Sequence, residues 1–187
     1  MSSMPLGLLS FSAGGGASAN ALTLISTQVL ASAAASVTFS SIPSTYTHLQ
    51  IRYTSRSDTG STQTPLFMRL NSDTGTNYSR HWLRGDGGLI LSNAGSSENY
   101  AWIGYTLAAS ETTSAYTAGV IDILDYKNTN KNTTLRMLHA SRGSVSWTQI
   151  ALNSAAWYNT AAVNTLLFYP SAGNFITGSR FSLYGVS

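Results

Sequence analysis

From residue 21 to residue 187 the hydrophobic period of this chain stays close to two, in short segments broken by Gly, Asn, Ser and Pro. In "HLQIRYTSR" Leu49, Ile51 and Tyr53 fall on one phase and His48, Gln50 and Arg52 on the other, and "PLFMRLN" repeats the pattern with Leu66, Met68 and Leu70. Successive side chains of an extended strand point to opposite faces, so this alternation predicts strands with one buried side. Strands are also predicted at Ala21 to Leu30, around Val37 and Phe39, and within "YAWIGYT", "AYTAGVIDIL", "TTLRMLHAS", "SVSWTQIAL", "VNTLLFYP" and "SRFSLYGV". "NYSRHWLR" leaves its inward face open: Tyr78, Arg80, Trp82 and Arg84 lie on one side, Ser79, His81 and Leu83 on the other. About ten short strands with no long 3.6-residue period between them predict an all-β fold, an antiparallel sandwich or barrel. Ala118 to Tyr126 and Thr133 to His139 read as two strands joined by the turn "KNTNKN", where Asn tolerates positive φ.

Residues 1–20 differ. They are rich in Gly, Ala and Ser around Gly14-Gly15-Gly16 and read as an extended arm, because such a composition buries too little apolar surface to fold alone. Leu6, Leu8, Leu9 and Phe11 form an apolar cluster on that arm, suited to docking on a partner or on the chain's own domain. The expected organisation is therefore a docking arm at 1–20 and a single β-sandwich domain at 21–187.

Only 9% of the 187 residues are charged, against roughly 25% in ordinary globular chains. The two Lys and eight Arg are scattered singly, so the net charge of +3 makes no basic patch in sequence and no specific nucleic-acid contact is expected, although Arg52, Arg56, Arg69, Arg80 and Arg84 could converge in space. With no cysteine there is no disulfide, thiol nucleophile or Cys-ligated metal. The start lacks the charged and apolar regions of a secretory signal, and no apolar run approaches the roughly 20 residues of a membrane span. Synthesis in a cytoplasm without membrane insertion is expected.

Motifs that carry chemistry are thin. Arg84-Gly85-Asp86 matches an adhesion tripeptide, but a strand end followed by Gly87-Gly88 explains it without a ligand. Asp73, Gly75 and Asn77 alternate as in acidic calcium loops, against the simpler reading of a hairpin turn with Gly75 at a special backbone angle. "SDTGST" at Ser57 to Thr62 is a second Asp-Thr-Gly turn. His48, His81 and His139 stand singly, with no HxH or HExxH spacing, and no GxSxG elbow occurs. Asp122 and Asp125, the closest acids on one segment, fall on opposite faces of a strand. Asn77-Tyr78-Ser79 and Asn132-Thr133-Thr134 match the glycosylation pattern, which matters only in a secretory compartment. No catalytic residue, metal or cofactor is assigned.

Aromatic residues are the more informative class. Trp82, Trp102, Trp147, Trp157 and ten Tyr fit either a core or subunit interface, the favoured reading, or a saccharide-binding face, since rings stack on sugars. In the second case Tyr100, Trp102, Tyr105, Trp147 and Trp157 are expected in one exposed groove with Asn or Asp partners.

Four stretches, "VTFSSIPSTYTHLQIRYTSRSD", "LNSDTGTNYSRHWLRGDGG", "IDILDYKNTNKNTTLRMLHAS" and "TAAVNTLLFYPSAGNFITGSRFSLYGV", taken in this order, resemble small tailed-bacteriophage virion proteins that end in a Ser-Leu-Tyr-Gly-(Ile/Val) strand. The resemblance spans about residues 36 to 187, and the Gly-rich arm is similar in style. It implies a jelly-roll-like β-sandwich in a virion, with a tail-fibre or capsid-decoration role. It also implies other virion proteins as partners and a homo-oligomer, a trimer being favoured. It supplies no catalytic residues. A receptor- or glycan-binding module at a fibre or spike tip, with a host surface glycan as partner, is the alternative it leaves open.

Overall fold

The computed structural model describes residues 21–143 and 148–187. Among these, twelve strands occur: β1 (Leu22–Val29), β2 (Val37–Phe39), β3 (His48–Ser55), β4 (Gln63–Leu70), β5 (Tyr78–Gly85), β6 (Ile90–Glu98), β7 (Ala101–Leu107), β8 (Thr117–Leu124), β9 (Thr133–Arg142), β10 (Thr148–Trp157), β11 (Leu166–Pro170) and β12 (Arg180–Val186). They form two antiparallel sheets, β1-β12-β3-β8-β9-β10-β5-β6 and β2-β11-β4-β7. Without the inserted pairs β5–β6 and β9–β10, the other eight strands pass between the sheets with first and last adjacent, which is jelly-roll connectivity. The two insertions extend the larger sheet past the smaller one.

Both sheets bury the alternate residues that the period of two marks. Leu49, Ile51 and Tyr53 of β3 and Leu66, Met68 and Leu70 of β4 are buried together with Leu135 and Met137 of β9, Leu166 and Phe168 of β11, and Phe181 and Leu183 of β12. Each such side chain contributes roughly 1.5–3 kcal/mol relative to exposure. Phe181 sits at the centre of an aromatic group, with ring centroids 5.8 Å from Tyr53, 5.3 Å from Phe168 and 5.1 Å from Phe175.

Three local readings change. β6 carries no alternation and is exposed along nearly its whole length, so nothing in its pattern marks it as a strand. It forms by backbone pairing to β5 at the sheet edge, where neither face has to be buried. The ambiguity in β5 resolves with Tyr78, Arg80, Trp82 and Arg84 inward and His81 and Leu83 in solvent. In the β8–β9 connection the residue with positive φ is Asp125, at 49°, rather than an Asn of "KNTNKN". The Asp125 backbone N–H donates to His48 Nδ1 at 2.9 Å, and its carboxylate pairs with Lys131. The residues of the predicted docking arm, Leu6, Leu8, Leu9 and Phe11, lie outside the described residues.

Candidate binding cleft

The added strands β10 and β5 pack against β7, the edge strand of the smaller sheet. β7 carries a bulge against β4 between Leu66 and Phe67, opposite Gly104 and Trp102. Gly104 has φ of +134°, and a Cβ there would lie 2.3 Å from the His139 ring. Only glycine lets the imidazole of β9 lie directly on the β7 backbone.

On the outer side of the smaller sheet the aromatics form a continuous ledge. Phe67 stacks on Tyr100 at 3.8 Å and meets Tyr169 and Trp102 edge-on at 5.6 and 6.4 Å. Trp102 then contacts Tyr105 at 5.4 Å and Trp82 at 6.4 Å. Three arginines lie over these rings: Arg69 over Tyr169 at 5.0 Å, Arg80 over Trp102 at 4.3 Å and Arg84 over Trp82 at 5.3 Å. Arg80 is also held by Glu98 at 2.8 Å. Such contacts are worth about 0.5–1 kcal/mol each at exposed sites, so they orient the ledge more than they stabilise the fold.

The ledge ends at a narrow cleft lined by Trp82 and Arg84 of β5, Trp102, Gly104 and Tyr105 of β7, His139 of β9, and Gln149, Ala151 and Asn153 of β10, with room of about 10 Å³ for a water-sized body. His139, Gln149 and Asn153 are only 2%, 3% and 7% exposed. Both ring nitrogens of His139, both amide heavy atoms of Gln149, Oδ1 of Asn153 and Nε1 of Trp82 are buried without a hydrogen-bond partner among the described residues. Each such atom costs about 1–3 kcal/mol if nothing meets it, and native interiors rarely gather several. Burial pushes the His139 pKa down to about 4, so near pH 7 the ring is neutral, with one N–H donor and one acceptor nitrogen.

Of the five aromatics expected in one groove, Trp102 and Tyr105 line the cleft and Tyr100 lies beside it on Phe67. Trp157 belongs elsewhere: it is 1% exposed in the core, stacks on Tyr78 at 6.4 Å and donates its Nε1–H to Asp73 at 2.7 Å. Trp147 lies outside the described residues. His139, Gln149 and Asn153 were not singled out together by sequence, although a signal existed. Gln149 and Asn153 share the phase of Ala151, Ala155 and Trp157, and His139 shares that of Leu135 and Met137. Polar residues on the buried phase of a strand call for a partner.

The other motifs have structural roles. The Asp73 carboxylate accepts from the Gly75 N–H at 2.8 Å, Asn77 Nδ2 at 2.9 Å and Trp157 Nε1, tying the β4–β5 turn to the core. Burial raises its pKa, but hydrogen bonds from Asn77, Trp157 and Gly75 outweigh that and lower it. The residues with positive φ in this turn are Asn71 and Ser72, while a Cβ at Gly75 would lie 2.6 Å from Asn77 Nδ2 and push that amide off the Asp73 carboxylate. Arg84-Gly85-Asp86 is divided: Arg84 turns to the cleft, whereas Asp86 accepts from the Gly88 and Leu89 N–H groups in the β5–β6 turn. The five arginines do not converge as a set, since Arg52 lies over Tyr184 and Arg56 is buried in a loop. Asp122 pairs with Arg136 and Gln50 across the outer sheet surface. Among the described residues no group of three or more His, Asp or Glu is placed to hold a metal.

No family model and no curated protein sequence matches this chain.

Proposed function

We propose that this chain is a non-enzymatic accessory structural protein of a tailed-phage virion, in a tail-fibre or capsid-decoration role. It docks through residues 1–20 and associates with copies of itself through the outer face of β5, β10 and β9. The observation that carries this reading is an apolar row on that face. Leu83, Leu152 and Leu138 lie directly opposite one another across the three strands, and Ile150 and Ile90 flank them through Gly85. All five are exposed, Ile150 by 59% and Leu152 by 57%. Contiguous apolar surface of this kind is uncommon on monomers and marks interaction sites. A cyclic assembly would cover it on every copy, and a trimer is the expected state. The sequence resemblance supports the virion setting, and the scarcity of charge suits a surface meant to pack against protein.

Light scattering on the full chain is expected to give a multiple of 19.9 kDa, and Leu152→Asp should reduce it to that monomer mass with the β-sheet circular dichroism intact. A monomer at high concentration for the unaltered chain would refute self-association.

The arm is tested separately. Burying Leu6, Leu8, Leu9 and Phe11 yields roughly 1.5–3 kcal/mol each, against about 1–2 kcal/mol per backbone residue fixed, so backbone pairing or several copies must supplement them. Deleting residues 1–20 should leave a folded domain that no longer incorporates into particles. Normal incorporation would place the anchor elsewhere.

A further inference from the structure

We propose that the cleft between β5, β7, β9 and β10 binds a neutral saccharide: one hydroxyl group enters toward His139, Gln149 and Asn153, while the sugar ring rests against Trp82, Trp102 and Tyr105 at the mouth. This site does not depend on the self-association proposed above.

The buried atoms select the ligand class. Trp82 Nε1 can only donate, Asn153 Oδ1 can only accept, and the Gln149 amide and neutral His139 ring each offer both functions. A hydroxyl group is donor and acceptor at once and matches this mixed set. An anion would be drawn to Arg84 at the cleft wall but would bring lone pairs against Asn153 Oδ1 and leave it without a donor, so phosphate is the competing ligand to be tested. A divalent cation would find imidazole and amides but no carboxylate among the lining residues. A purely apolar ligand would leave the buried polar atoms unmet.

Size sharpens the assignment. Room for about one water-sized body excludes a whole ring from the interior but admits one oxygen-bearing group. Trp82, Trp102 and Tyr105 are half-buried beside this space, with Arg80 over Trp102 and Arg84 over Trp82 and Tyr105, so a ring with apolar C–H faces and polar edges would meet aromatic surface and guanidinium donors together. Gly104 holds the arrangement open, because any side chain there would displace the imidazole.

The test follows the indole N–H resonance of Trp82 in the full chain by nitrogen-15 NMR. The titrants are methyl glycosides of glucose, galactose, rhamnose, N-acetylglucosamine and N-acetylgalactosamine, each to high millimolar concentration, with sodium phosphate alongside. At least one glycoside should give a saturable shift that weakens about tenfold in Asn153→Ala and in Gln149→Ala, the loss of one hydrogen bond's worth of affinity. Lys127→Ala, in the β8–β9 connection and outside both the cleft lining and the apolar row, should leave it unchanged. If either cleft variant loses its β-sheet circular dichroism, Tyr105→Ala at the half-exposed mouth provides the comparison. No saturable shift with any glycoside would show that the cleft holds water alone and would overturn the proposal. So would saturation by phosphate in place of sugar, or a sugar shift that survives the cleft substitutions.

Discussion

Replacing Arg56 with methionine is expected to destabilise the domain by about 3–5 kcal/mol, because it strips the donor from three close carbonyl acceptors, each costing roughly 1–3 kcal/mol when buried and unmet. Arg56 follows β3 and is 3% exposed. Its guanidinium donates to the carbonyls of Thr112 at 2.6 Å, Glu111 at 2.7 Å and Ala115 at 2.9 Å, with a longer contact to Ala109 at 3.4 Å. These carbonyls belong to the connection between β7 and β8, which has no strand partner of its own. The planar fork therefore gathers the far part of this loop, whose near end is held by backbone hydrogen bonds from Ala109 to Thr59 and from Ser110 to Ser61. Methionine approximates the stem's volume but leaves several acceptors unmet, and Arg56→Lys should fall between the two because an ammonium lacks the fork. Because the Glu111 side chain lies against Gly143 at the end of β9, loosening this loop should also loosen the added strands. Urea unfolding of the three proteins measures the effect. A loss below about 1 kcal/mol for Arg56→Met would show that the loop finds other donors.

The second large effect is a loss of stability in mild acid centred on His139. Its folded pKa of about 4 lies below the ordinary value of 6.5, and the cause is burial. Between those values the unfolded chain binds the proton and the folded one does not, so stability falls as pH drops from about 6.5 to about 4 and the loss levels off below that. A shift of this size corresponds to about 3 kcal/mol as an order of magnitude. The groups facing the ring do not oppose this. The lining brings the Arg84 guanidinium from β5, the Tyr105 phenol from β7 and Gln149, Ala151 and Asn153 from β10, with no carboxylate among them to hold a protonated ring. Acid acts on other groups of the chain as well, so the comparison is with His139→Gln, which keeps them. The unaltered chain should lose about 3 kcal/mol more than the variant between pH 7 and pH 4 in urea unfolding. Parallel losses would mean that the imidazole titrates as if in water.

The fold was legible in sequence where one face of a strand is buried and the other is wet. Leu49, Ile51 and Tyr53, or Leu66, Met68 and Leu70, declare their orientation because an extended backbone turns alternate side chains to opposite sides whatever the strand's partner. β6 was illegible because it is an edge strand held by backbone hydrogen bonds, and backbone groups are the same in every residue. Phase alone also failed in β5, where Arg80, Trp82 and Arg84 face inward and Leu83 faces solvent. The inserted sheet there meets an aromatic ledge and a cleft rather than the main core.

The cleft itself was decided by tertiary structure. Trp82, Trp102, His139 and Gln149 come from four strands, and they meet because the β5–β6 and β9–β10 insertions continue the larger sheet past the edge of β7. Local periodicity assigns a residue to a face, but what lies opposite that face depends on which distant strands pair. Trp102 and Trp157 have the same chemistry and both lie on strands. One lines a cleft and the other fills the core because β7 ends the smaller sheet, whereas the inward face of β10 at Trp157 lies over Tyr78 and Asp73.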